Sequence, residues 1–184
     1  IKVIFGIPAL KVHSKLCIIH RKERNKIVKY AHIGTGNFHE KTAKIYTDFS
    51  LFTKHTGISE ECDSVFKFIE SSYKPFNFEY LMISPVNARD MLLDLIDKEI
   101  QHVENGKLGK ITLKINNLVD KQLVDKLYYA GRRGVKVRII VRGMCSLIPG
   151  ITKFSDNIRV ISIVDRFLEH PRVMVFGNNG DDKV

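Results

Sequence analysis

The sequence has 184 residues, 44% hydrophobic and 27% charged, with a mean hydropathy near zero. That composition excludes a disordered chain and a membrane bundle, and the length suffices for one large or two small domains with a buried core. No apolar run approaches the roughly 20 residues that a membrane span requires.

Three cysteines, Cys17, Cys62 and Cys145, are odd in number and widely spaced, which argues against a disulfide framework or a zinc site and predicts a reduced, cytosolic protein. Thirty Lys and Arg against twenty Asp and Glu give +10. Of that excess, +7 falls in residues 1–60, where eleven basic residues meet four acidic ones. The imbalance predicts a polyanionic partner such as nucleic acid, phospholipid headgroups, nucleotides or another phosphate chain. A solvated lysine surface is the alternative. Both ends read as cuts: IKVIFG carries no initiator Met, and VMVFGNNGDDKV runs into a turn that ordinarily returns as a strand.

In chain order, residues 9–20 alternate and predict a strand, with Val12, Leu16 and Ile18 on one face and His13, Lys15 and Cys17 on the other. Residues 21–26 read as a charged turn, 27–33 as the return strand, Gly34-Thr35-Gly36-Asn37 as a turn and 44–52 as another strand. A helix is predicted from Ser59, with Val65, Phe66, Phe68 and Ile69 as its apolar stripe. A boundary is placed in 72–79, where Pro75 interrupts, giving domains 1–78 and 79–184.

Beyond it come a short buried strand at 81–83 and a helix capped by Ser84-Pro85 that runs to about Val103. A strand at 111–115, a helix capped by Asp120, and strands at 135–141, 158–163 and 173–176 follow. Alternating strands and helices predict an α/β fold with a parallel sheet and crossover helices.

His13 and Lys15 lie two apart, which on a strand places both side chains on one face. A neutral imidazole beside an ammonium suits attack on phosphorus, the ring nitrogen as nucleophile and the lysine neutralising the phosphoryl oxygens. Taken alone, the pair is more often a surface His beside a surface Lys. The Gly34–Asn37 turn can offer backbone N–H groups and the Thr35 and Asn37 side chains to an anion, or serve as a plain tight turn.

His170-Pro171-Arg172 repeats the His-x-basic spacing, and two such motifs suggest one site where two halves meet. Arg142 closes an apolar strand before Gly143, the strand end at which α/β sheets bind ligands, and a guanidinium there suits phosphate. Tyr46 can stack on a base, although a half-buried strand tyrosine is the commoner case. No Walker loop, HExxH, GxGxxG or partnered cysteine nucleophile is present, and no residue is assigned as a metal ligand.

The runs KVHSKLCII, YAHIGTGNFHEKTAKIYTDFSLFT and SIVDRFLEHPRVMVF closely resemble the C-terminal catalytic half of bacterial polyphosphate kinases, over essentially the whole chain. The resemblance implies two phospholipase D-like α/β domains, the first entered midway and the second truncated. It implies reversible transfer of the terminal phosphate of ATP to inorganic polyphosphate, with Mg²⁺, through phosphorylation of the histidine that falls on His13.

The family's second histidine falls on His170, as acid/base or phosphate ligand, its nucleotide-contacting tyrosine on Tyr46 and its phosphate-binding arginine on Arg142. Lys15, Asn37 and Arg172 are expected to contact phosphate beside them. ATP/ADP and polyphosphate are the implied partners, with no nucleic acid, in a cytoplasmic homo-oligomer that can associate with the membrane. The fragment alone is expected to be inactive. The phospholipase D signature places an Asp five residues after its Lys, where this sequence has His20, which favours a kinase over the alternative of a phosphodiesterase or nuclease. A module that only binds polyanions is the non-catalytic alternative.

Overall fold

Alternation in the first third folds into a hairpin, seen in a computed structural model that describes residues 1–73 and 75–184. β1 (Lys15–Glu23) pairs antiparallel with β2 (Lys26–Gly34), Glu23 opposite Lys26. The loop is Arg24-Asn25, both at positive φ (42° and 69°), which matches the strand twist in a two-residue turn. The strand therefore runs three residues into the stretch expected to be a turn. It also begins later than expected. Residues 9–14 are not strand, because Pro8 has no N–H to give a ladder and Ala9 sits at φ 63°, which leaves only an isolated bridge between Ile7 and Leu10.

The chain divides into two compact units, one of Ile1–Lys44 with Asp48–Asn87 and the other of Ile45–Thr47 with Ala88–Val184. In the first unit, β2 also pairs with β4 (Ser50–Thr53), so the sheet order is β1-β2-β4, and the short helix α1 (Glu40–Ala43) precedes β4. The expected single strand at 44–52 is two: β3 (Tyr46–Thr47) leaves for the second unit and β4 stays. Helix α2 (Thr56–Glu70) starts three residues before Ser59, capped by the His55 ring, whose Nδ1 accepts the Ile58 N–H at 3.4 Å. Histidine is not among the residues that ordinarily signal a cap. α2 buries Ser59, Cys62 and Val65, while Phe66 of the expected stripe is exposed.

No strand forms at 81–83. The Glu61 carboxylate takes the N–H groups of Glu79, Tyr80 and Leu81, and Asn87 Oδ1 takes that of Ile83, so these donors are satisfied without a ladder. Lys74, inside the expected boundary stretch, lies outside the described residues.

The second unit has a four-stranded sheet in the order β7-β6-β5-β9: β5 (Lys110–Ile115), β6 (Lys136–Val141) and β7 (Ile158–Ile161) are parallel, and β9 (Val173–Phe176) runs antiparallel to β5. The sheet is thus mixed, and a loop rather than a helix joins β6 to β7. α3 (Ala88–Glu104) begins four residues after Ser84, beyond a turn, and α4 (Lys121–Arg132) is capped by Asp120, whose Oδ1 accepts the Leu123 N–H at 3.0 Å.

Ile96 and Ile100 of α3 and Val124, Leu127 and Ala130 of α4 form a core with Ile111, Leu113, Val137 and Ile139 of the sheet. Each such aliphatic side chain contributes about 1.5–3 kcal/mol on burial. In the same core lies Glu99, 1% exposed, whose carboxylate accepts the N–H groups of Lys110 (2.8 Å) and Asn178 (2.7 Å). Separately, β3 pairs in parallel with β8 (Leu168–Glu169), Tyr46 opposite Leu168. The whole is a mixed α/β fold.

Candidate active site

His13 lies two residues before the ladder gains its full width, and Lys15 is the first residue of β1. The Lys15 side chain is buried and folds back on His13: its Nζ donates to the His13 carbonyl at 2.7 Å and lies 3.1 Å from His13 Nε2. An ammonium has donors only, so Nε2 is the acceptor and the neutral ring carries its proton on Nδ1. His13 itself is exposed. The spacing argument thus holds locally although His13 is outside the strand.

The glycine turn is closed by a residue not singled out in the sequence. Thr35 donates its hydroxyl to Asp48 Oδ1 at 2.7 Å, accepts the Phe49 N–H at 2.9 Å and gives its own N–H to the Phe49 carbonyl at 3.0 Å. A Cβ on Gly36 would stand 2.6 Å from Asp48 Oδ2, so glycine is required for the carboxylate to approach. Asn37 sits at the exposed end of this turn, its carbonyl accepting the His39 N–H.

In the second unit the structure brings Tyr46, Arg142, His170 and Arg172 together. His170 is buried, and its ring meets that of Tyr46 with centroids 5.1 Å apart, tilted by 51°. Arg172 Nη1 lies 3.3 Å from His170 Nε2 and 3.3 Å from the His170 carbonyl, so Nε2 again accepts. Arg142, just past the end of β6, reaches the Glu169 carbonyl at 3.3 Å. Lys114 on β5 joins this group: its Nζ contacts Glu169 Oε2 at 2.9 Å and donates to the Pro171 carbonyl at 3.3 Å. Hydrogen bonding from Lys114 holds the Glu169 carboxyl below the usual carboxylate range, against a smaller opposing push from desolvation. It stays ionised at neutral pH.

Two family models match the chain. One described as polyphosphate kinase C-terminal domain 1 matches residues 1–75, and one described as polyphosphate kinase C-terminal domain 2 matches residues 81–184. The chain belongs to the polyphosphate kinase family. Polyphosphate kinase of Escherichia coli K12 is 57% identical over all 184 residues, which are 27% of that protein, and the Yersinia pestis polyphosphate kinase is 60% identical with the same coverage. The crystal structure of polyphosphate kinase from Porphyromonas gingivalis superposes on 96% of this chain and 29% of its own, with a TM-score of 0.85 and 37% identity. The chain therefore spans about a quarter of the length of the relatives it matches.

Among the described residues, no group of three or more His, Cys, Asp or Glu side chains is placed to hold a metal ion. No described helix is long and apolar enough to cross a membrane. The three cysteines are free thiols, and burial pushes that of Cys62 up, which keeps it protonated.

Sequence reasoning missed Asp48, Lys114 and Glu169. Nothing local marks them, since each works through a partner distant in sequence, 13 residues away for Asp48 and 55 to 57 for Lys114.

Proposed function

We propose that this chain carries the transfer chemistry of a polyphosphate kinase: reversible movement of the terminal phosphoryl group of ATP onto inorganic polyphosphate, through a phosphohistidine at His13. The observation that carries the reading is the Lys15 clamp on His13, which presents a neutral ring nitrogen beside an ammonium, in a chain of this family. Nε2 attacks the terminal phosphorus, an N–P bond forms, and the bond to the bridging oxygen breaks with its electron pair leaving on ADP. A terminal oxygen of polyphosphate then attacks the same phosphorus, and the N–P electron pair returns to Nε2.

As the ring nitrogen is consumed, Lys15 transfers its hydrogen bond to the phosphoryl oxygens, where charge develops. His170 serves as phosphate ligand and proton carrier, Arg142, Arg172 and Asn37 bind phosphate, and Tyr46 contacts the nucleotide. No step is assigned to Mg²⁺. We read residues 1–78 as the later part of one phospholipase D-like domain and 79–184 as a second.

The test uses the polypeptide at the length of its relatives, incubated with ATP labelled in the terminal phosphate. Acid-labile, alkali-stable label on the protein, lost in His13→Ala, together with polyphosphate accumulation, is expected. Label persisting in His13→Ala would reassign the nucleophile. Absence of label with hydrolysis of a phosphodiester would replace the kinase by a phosphodiesterase.

A further inference from the structure

β8 ends at Glu169 and β9 begins at Val173, so His170, Pro171 and Arg172 fall between two ladders. Pro171 has no N–H, and the His170 N–H reaches the Thr47 carbonyl at 3.3 Å, a long bond. Tyr46 and Arg172 meet the ring itself, and the backbone on either side of it is held by a further side chain. That side chain is Lys114. Its ammonium bonds the residue before His170 through the Glu169 carboxylate and the residue after it through the Pro171 carbonyl, so one cation spans the histidine from both sides.

Lys114 is itself fixed. It is the next-to-last residue of β5, paired with Ile140 of β6 on one side and Val173 of β9 on the other, and its side chain is 18% exposed. Charge-assisted bonds of this kind are about twice as strong as neutral ones.

We propose that Lys114 is a positioning residue for His170, acting through Glu169 and Pro171. The proposal rests on the role given to His170 above. The competing role for an ammonium in this place is direct contact with a substrate phosphate, and the two differ in what Glu169 does. A carboxylate cannot bind phosphate favourably, so a phosphate-binding Lys114 gains nothing from it. A positioning Lys114 cannot work without it.

The experiment measures single-turnover labelling of His13 and ATP half-saturation in the polypeptide at family length, for Lys114→Met, Lys114→Arg, Glu169→Gln, the Lys114→Met/Glu169→Gln double variant, and Lys114→Met combined with His170→Ala. The expected result is a fall of about tenfold to a hundredfold in labelling rate for each of Lys114→Met and Glu169→Gln, the range that a misplaced group costs. Half-saturation stays within about twofold, the double variant is no worse than either single, and Lys114→Arg recovers part of the rate.

In the His170→Ala background, Lys114→Met costs nothing further. Near-parental rates in Glu169→Gln, or a rise in half-saturation with Lys114→Met, would overturn positioning in favour of phosphate contact. Additional loss in the His170→Ala background would do the same. Should Lys114→Met fail to fold, Glu169→Gln and Lys114→Arg carry the same comparison. Full labelling in His170→Ala alone would instead remove the role of His170, a failure separate from that of the clamp.

Discussion

Lys15 reaches back two residues and grips His13 twice, by the ring nitrogen Nε2 at 3.1 Å and by the backbone carbonyl at 2.7 Å. Arg172 grips His170 at the same two atoms, each at 3.3 Å. In both places the basic residue fixes the tautomer and the backbone around the ring in one gesture. The cation differs: a compact ammonium stands by His13 and a planar guanidinium by His170, which suits a movable donor at the first and a fixed fork at the second.

Lys15→Met keeps the length and burial of the side chain and removes its charge. Labelling of His13 should fall by about 10²–10³-fold, the usual loss for one donor to a developing oxyanion. Lys15→Arg should keep more of the rate than Lys15→Met. Rapid-quench measurement of acid-labile label checks both.

Tyr46 touches the ring of His170 with its own ring. Tyr46→Phe preserves that contact and should retain the thermal stability of the parent. Tyr46→Ala should lose about 0.5–1.5 kcal/mol from the aromatic pair, in addition to the lost burial. Thermal unfolding of the two variants, side by side, measures the difference. If the hydroxyl contacts nucleotide, Tyr46→Phe raises the half-saturation for ATP without that loss.

Acid should weaken the first unit through Asp63. Burial pushes its carboxyl up, but hydrogen bonds from Lys29 and Lys67 outweigh this and hold it below the ordinary carboxylate value. His20 also lies 3.2 Å from it. A carboxyl with a depressed folded-state pKa adds stability above its unfolded value, about 3.9, and loses it as pH falls through the folded value. Stability should therefore drop below about pH 4, and Asp63→Asn should flatten that limb while lowering stability at neutral pH. Denaturant titrations from pH 7 to pH 3 decide it.

Glu99→Gln should destabilise the second unit by about 1–3 kcal/mol. Each carboxylate oxygen of Glu99 accepts a different backbone N–H, and a glutamine would turn an NH₂ group toward one of them. The midpoint of urea unfolding reports the change.

What could be read from the sequence was whatever is local. Asp120 before an amphipathic run gave its helix start, the Val135–Val141 alternation gave a strand with one buried face, and two-residue spacing paired His13 with Lys15 and His170 with Arg172. What could not be read depends on partners far along the chain. Lys114 looks like any polar residue of a half-buried strand until Glu169 and Pro171 arrive beside it. The 81–83 stretch is apolar enough for a strand, but the Glu61 carboxylate takes the N–H groups of Glu79, Tyr80 and Leu81, which lie 18 to 20 residues beyond it. Within the expected 44–52 strand nothing local shows that Tyr46–Thr47 pairs separately, because its ladder partner begins at Leu168.

Those few residues constrain how the gene can be taken apart. Residues 45–47 interrupt one unit in order to pair with the other, so no single cut in the chain separates the two. A polypeptide begun at Ala88 would lack the strand that pairs with β8 and the ring that lies on His170. Exchange of either half between homologues by recombination at 87/88 would join a foreign tripeptide to a native histidine segment. Carrying residues 45–47 along with 88–184 would keep that ladder and that ring contact native.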